Sequence, residues 1–174
     1  MDRDEKLMQL YRRVYSSPVD VMRWKFLERV ATVYVGASFV IMLLKLIVKY
    51  DWIECLKFAV AAAIPFVVVS VARFFINAER PYEYFDFERF KFAPFDKMRE
   101  SRRPGKSFPS RHVFSAFLIG TLAMTCSIPV GISVLVLGAF IAVVRVMLGI
   151  HFVRDVLVGG IVGILSGLVG MMIL

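Results

Sequence analysis

From Val113 to Val144 the chain carries no Asp, Glu, Lys, Arg or His. A run of this length is what a bilayer requires, where a crossing helix needs about 20 apolar residues. Pro129 and Gly131 divide the run, so it reads as a helical hairpin with a tight, uncharged turn. Three further runs have the same character. Val30 to Val48 is broken only by Lys45, which sits near one end and can snorkel. Ile53 to Ile76 follows a short polar turn with an interfacial Trp52, and contains Pro65 as a candidate kink. Val156 to Leu174 is uncharged, and Gly159, Gly163 and Gly167 recur every four residues, a stripe on which another helix can pack closely. The expectation is an all-α fold: a polytopic membrane helix bundle of about five transmembrane helices, forming a single domain over 1–174.

Composition supports this class. The hydrophobic fraction is 59% while the net charge is +8, and soluble domains sit near about 45–50% apolar. A surplus of Lys and Arg on so apolar a chain fits headgroup contact rather than a nucleic-acid partner. Cys55 and Cys126 lie in apolar stretches, suggest neither disulfide nor metal site, and read as packing residues. The first residues are charged and show no cleavable signal peptide. Residues 1–29 read as one or two amphipathic helices at the membrane surface. Leu7, Leu10, Tyr11 and Val14 recur in the first piece and Val21, Met22, Trp24 and Phe26 in the second, with Ser16, Ser17 and Pro18 between them. Residues 77–111 hold Pro81, Pro94, Pro104 and Pro109 and the aromatics Tyr82, Tyr84, Phe85, Phe87, Phe90, Phe92 and Phe95. They read as a structured active-site loop at the membrane surface with a short interfacial helix; a plain connecting loop whose aromatics merely touch headgroups would not explain the motifs at its two ends.

With five crossings, the N-terminus, the 77–111 loop and the 145–155 segment share one side of the membrane. Most polar residues of chemical interest are there. The chain has 2 histidines, and His112 and His151 each open an apolar span. Ionisable residues in such places are costly and mark function. Arg73 and Arg80 offer planar forks that match phosphate oxygens. Ser110 is a candidate N-cap at a helix start, where backbone N–H groups favour an anion and His112 would lie beside it. His151 and Asp155 are four apart, a spacing that shares one helical face, so the carboxylate can orient the imidazole for attack. Arg145 adds a fork, and Gly149 permits a turn before His151. No His, Cys, Asp and Glu cluster suggests a protein-held metal.

Three ordered motifs carry a resemblance. Arg73, six residues, Arg80-Pro81 is followed by Pro109-Ser110-Arg111-His112, then by Val144-Arg145, five residues, His151, three residues, Asp155. This is similar to the type 2 phosphatidic-acid phosphatase superfamily, related to bacterial acid phosphatases and vanadium haloperoxidases. Its pattern is Lys, six residues, Arg-Pro; Pro-Ser-Gly-His; and Ser-Arg, five residues, His, three residues, Asp. The resemblance runs from about Arg73 to Asp155 in the order and spacing of these motifs.

It implies a metal-independent lipid phosphatase with no cofactor. His151 would form a phosphohistidine assisted by Asp155, and His112 would protonate the leaving group. Arg73, Arg80, Ser110, Arg111 (through its backbone N–H) and Arg145 would hold the phosphate. The implied partner is a membrane lipid phosphate: undecaprenyl diphosphate, phosphatidic acid, phosphatidylglycerol phosphate or a lipid A phosphate. The implied location is a bacterial cell membrane. Arg73 stands in place of Lys, Arg111 of Gly and Val144 of Ser. The last two keep open a second reading, a catalytically silent lipid-phosphate binder or transporter. The basic residues favour a cytoplasmic catalytic face, whereas the resemblance favours the outer face.

Overall fold

The computed structural model describes residues 3–49, 51–85, 92–101 and 104–174. Among the described residues its regular secondary structure is all helical. Helix α1 spans Arg3–Val14, α2 Pro18–Val48, α3 Trp52–Ile76, α4 Pro81–Tyr84, α5 Ala93–Ser101, α6 Arg111–Ala123, α7 Ile128–Met147 and α8 Val153–Met171. Four of these, α2, α3, α7 and α8, are long and apolar enough to cross a membrane. The chain is thus an integral membrane helix bundle, as its apolar runs require.

The remaining expected span is α6, with 13 residues, about 20 Å at 1.5 Å per residue. It is also central: Val113, Phe114, Ala116, Leu118, Thr121, Leu122 and Ala123 are all buried. The outward faces of α2 and α3 carry exposed Val33, Val40, Ile41, Leu44, Ile64, Val67, Val68 and Val71, the side-chain chemistry of a lipid contact. Between α6 and α7 the turn falls at 124–127, earlier than Pro129 and Gly131 suggest. Pro129 lies in the first turn of α7, where a missing N–H costs nothing. Gly131 is inside α7, and a Cβ there would stand 2.8 Å from the Gly120 carbonyl oxygen.

The glycine stripe packs α8 against α6. A Cβ on Gly159 would meet the Ser110 carbonyl oxygen at 2.8 Å, and one on Gly163 the Phe114 carbonyl oxygen at 2.6 Å. Close backbone approach is therefore what brings the start of α8 to the start of α6.

Two expectations are corrected at the N-terminus. Residues 18–29 are not a separate amphipathic helix: they are the first turns of the 31-residue α2. At about 46 Å this helix exceeds a hydrocarbon core of about 30 Å, so its charged turns extend past the apolar layer. Nor does α1 give its whole apolar stripe to the membrane surface. Met8 and Tyr11 of α1 pack with Tyr82, Phe85, Phe95 and Met98 in a buried cluster, with the Tyr11 and Phe95 rings 5.1 Å apart. Phe87 and Phe90 lie outside the described residues. Cys126 is exposed and Cys55 is half-buried, so neither is a core packing residue. Pro65 lies within α3, which continues to Ile76.

Candidate active site

The end of α7 and the start of α8 build one half of the site. The Ile150 N–H donates to the Arg145 carbonyl at 3.0 Å and Gly149 takes φ +66°, which turns the chain back. A left-handed backbone favours glycine, and a Cβ here would strike the Phe95 ring at 2.6 Å. The aromatic cap thus seats on this turn, where the Tyr15 hydroxyl also donates to the Leu148 carbonyl at 3.1 Å.

His151 and Asp155 do meet, but not by sharing a helical face. His151 precedes α8, and Phe152 is its N-cap. The Asp155 carboxylate folds back to accept the Phe152 N–H at 3.0 Å, a first-turn capping contact that satisfies an orphan donor. That fold aims Asp155 Oδ2 at His151, 3.5 Å from Nδ1. Ser107 completes the group: its hydroxyl donates to Asp155 Oδ2 and lies 3.2 Å from His151 Nδ1. Sequence reasoning did not single out Ser107; its place just before Pro109-Ser110 was the available signal. Arg154, adjacent to Asp155, brings Nε to 3.5 Å from its Oδ1, closer than helical geometry alone suggests. Burial pushes the His151 imidazole down to about 4 against the opposing Asp155 hydrogen bond. The ring is therefore neutral near pH 7.

The other half is a stapled loop. Arg73, buried at the end of α3, donates to the carbonyls of Pro109, at 2.7 Å, and Lys106. Arg80 Nε donates to the Gly105 carbonyl at 3.3 Å. Glu83, another residue the sequence left unmarked, accepts the N–H groups of Arg80 at 2.9 Å and Gly105 at 3.0 Å. The Ser107 N–H reaches the Ala78 carbonyl at 2.8 Å. Segments 73–83 and 104–110 therefore hold one another, and the Ser110 N–H donates to the Asp155 carbonyl at 2.9 Å.

Ser110 is the N-cap of α6 by backbone, but its hydroxyl caps nothing. It is fully buried and its Oγ has no hydrogen-bond partner among the described residues. Such a group has unmet bonding capacity at a helix start suited to anions. Arg145 is engaged by a partner the sequence did not suggest: its Nη2 donates to Glu28 Oε1 at 2.7 Å. His112 is exposed in a cleft of about 340 Å³. The walls include Thr32, Val35 and Gly36 of α2, Phe66 of α3 and Arg111.

All the nominated residues converge. Arg73 interacts electrostatically with Arg111, Arg80, Asp155 and Arg145, His112 with Arg145, His151, Arg111 and Arg73, and His151 with Arg145 and Arg80. Among the described residues no group of three or more His, Cys, Asp or Glu side chains forms a metal-binding cluster.

Known proteins share this fold. The chain resembles the crystal structure of Aquifex aeolicus LpxE at TM-score 0.64 and 21% identity, covering 94% of this chain and 93% of that one. It resembles the transmembrane PAP2 type phosphatidylglycerolphosphate phosphatase of Bacillus subtilis at TM-score 0.65 and 19% identity, covering 97% and 83%. These likenesses establish the fold. No curated protein matches the sequence. The sequence profile of the PAP2 superfamily matches residues 54–174, the span that contains every nominated site residue, and the chain belongs to the PAP2 superfamily.

Proposed function

We propose that this protein is an integral membrane phosphatase that removes phosphate from a lipid monophosphate or diphosphate through a phosphohistidine on His151. One observation carries the reading: His151 Nδ1 is held against Ser107 and Asp155, which leaves Nε2 for attack amid convergent arginines. Membership of the PAP2 superfamily and likeness to two membrane phosphatases support it.

In this reading His151 Nε2 attacks phosphorus. An N–P bond forms, the P–O bond to the lipid breaks, and the leaving oxygen takes the proton of His112. Water then attacks the phosphohistidine and gives its proton to His112. The N–P bond breaks, and phosphate and neutral His151 result. Asp155 supports the positive charge on the ring. Arg73, Arg80, Ser110, Arg145 and the N–H of Arg111 stabilise the phosphoryl group, and these cations supply the charge stabilisation without a protein-held metal. The lipid tail lies in the cleft between α2 and α3, and the headgroup meets the 77–111 loop. The whole chain, 1–174, acts as one domain in a bacterial cell membrane, with its N-terminal charged turns at the surface.

The test is phosphate release from a panel of polyprenyl diphosphates, phosphatidic acid, phosphatidylglycerol phosphate and lipid A, in detergent with excess EDTA. Release by the wild type that His151→Ala abolishes is the expected result. Lipid-phosphate binding without any turnover would instead support a silent binder.

A further inference from the structure

Four arginines converge on the site, and one differs from the rest. Arg73 donates to Pro109 and Lys106 carbonyls, Arg80 to the Gly105 carbonyl and Arg145 to the Glu28 carboxylate. Arg111 makes no hydrogen bond or ion pair among the described residues. Its charged neighbours include Arg73 and His112, both basic. It stands in the first turn of α6, where the helix dipole opposes a cation. It also lines the cleft shared by His112, Val35 and Phe66, where its exposed side chain can meet an anion that enters. Anchoring in headgroups does not account for a cation at the wrong end of a helix beside a general acid. An anion that arrives with the substrate does.

The position says which anion. In the phosphatase reading, on which this inference rests, His112 protonates the leaving oxygen, so the leaving group lies on its side of the site, in the cleft. In a monoester the next atom beyond that oxygen is carbon. In a diphosphate it is a second phosphorus carrying its own charged oxygens. We propose that Arg111 binds this second phosphate, so that a lipid diphosphate is the preferred substrate. The P–O–P bridge breaks on the side attacked by His151. The electron pair stays on the bridging oxygen, which takes the His112 proton, and the product is the lipid monophosphate, paired with Arg111 as it leaves. The buried, unpartnered Ser110 hydroxyl next in sequence is a second unmet polar group at the same helix start.

The experiment compares farnesyl diphosphate with farnesyl phosphate, which share one tail, using the full chain in detergent as wild type, Arg111→Gly and Arg111→Lys. The readout is the ratio of kcat/KM for the two substrates, in which any loss of folded protein cancels. The wild type should favour the diphosphate. Arg111→Gly should lower the ratio about ten-fold or more, the scale of one charge-assisted contact, and Arg111→Lys should keep most of it. An equal ratio in wild type and Arg111→Gly would overturn the proposal while leaving the phosphatase reading intact. Release from neither substrate by the wild type would defeat the phosphatase reading, and the proposal with it.

Discussion

Glu28 Oε1 accepts both Nε and Nη2 of Arg145, at 3.0 Å and 2.7 Å, joining the start of α2 to the end of α7 across 117 positions of sequence. Both side chains are largely buried, with 11% and 15% of their surface exposed. A carboxylate thus sits where Arg145 would present its fork to phosphate. Glu28→Gln should destabilise the phosphate-free protein by about 1–3 kcal/mol, since a mostly buried guanidinium loses its counter-charge. Added inorganic phosphate should raise the melting temperature of this variant more than that of the wild type. Equal phosphate effects in both would mean that Arg145 serves structure alone.

His151 lies between α7 and α8, and in the proposed mechanism its burial sets the acid limit of activity. With the imidazole held at about 4, kcat/KM should persist below the ordinary histidine value of about 6.5 and fall only as the pH passes through about 4. The same shift bears on stability. The unfolded chain takes up a proton near pH 6.5 that the folded chain refuses, so this contribution is complete above that pH and is lost as the pH drops toward about 4. A kcat/KM profile with its acid limb centred on 6.5 would contradict this.

Ser107 is a positioning residue, since its hydroxyl touches both His151 and Asp155. Ser107→Ala should lower kcat about ten-fold with little change in KM, because the loss of one hydrogen bond is about 1 kcal/mol or somewhat more. Ser107→Thr should recover part of the rate. A fall in stability with kcat per folded molecule unchanged would make the residue purely structural.

Glycines of the bundle should divide by what surrounds them. A Cβ at Gly163 meets the Phe114 carbonyl oxygen at 2.6 Å and Phe117 Cβ at 2.9 Å, whereas one at Gly36 meets nothing within 4 Å. Gly163→Ala should cost about 1–3 kcal/mol through overpacking, while Gly36→Ala should be neutral or gain up to about 1 kcal/mol from helix propensity. Melting in detergent checks both. Gly36→Trp should narrow the cleft and slow long-chain substrates more than short soluble phosphate esters.

The spans and the nominated residues were legible in the sequence because both follow from local rules. Uncharged runs force helices in a bilayer, a four-residue glycine repeat lays small residues along one helix face, and the ordered histidine, arginine and aspartate motifs resemble those of a known family. The alternation of charged and apolar residues was also enough to make Arg3–Val14 helical. It could not separate an α1 face buried under Phe95 from one lying in lipid, since both demand the same apolar stripe.

Partnership over long range was decided by the tertiary structure alone. Glu28 reads as one more surface charge until α2 crosses α7, and Ser107 as a loop polar residue until the Arg73 fork draws 106–109 down onto α8. The spacing of His151 and Asp155 suggested one helix face, yet the contact arises because α8 starts two residues after His151 and Asp155 turns back to cap it. Hydrophobic runs and helix periods are properties of neighbours in the chain. Hydrogen-bond and charge partners are chosen by which backbones approach closely, and at this site the glycines of α8 and the stapled loop set that approach.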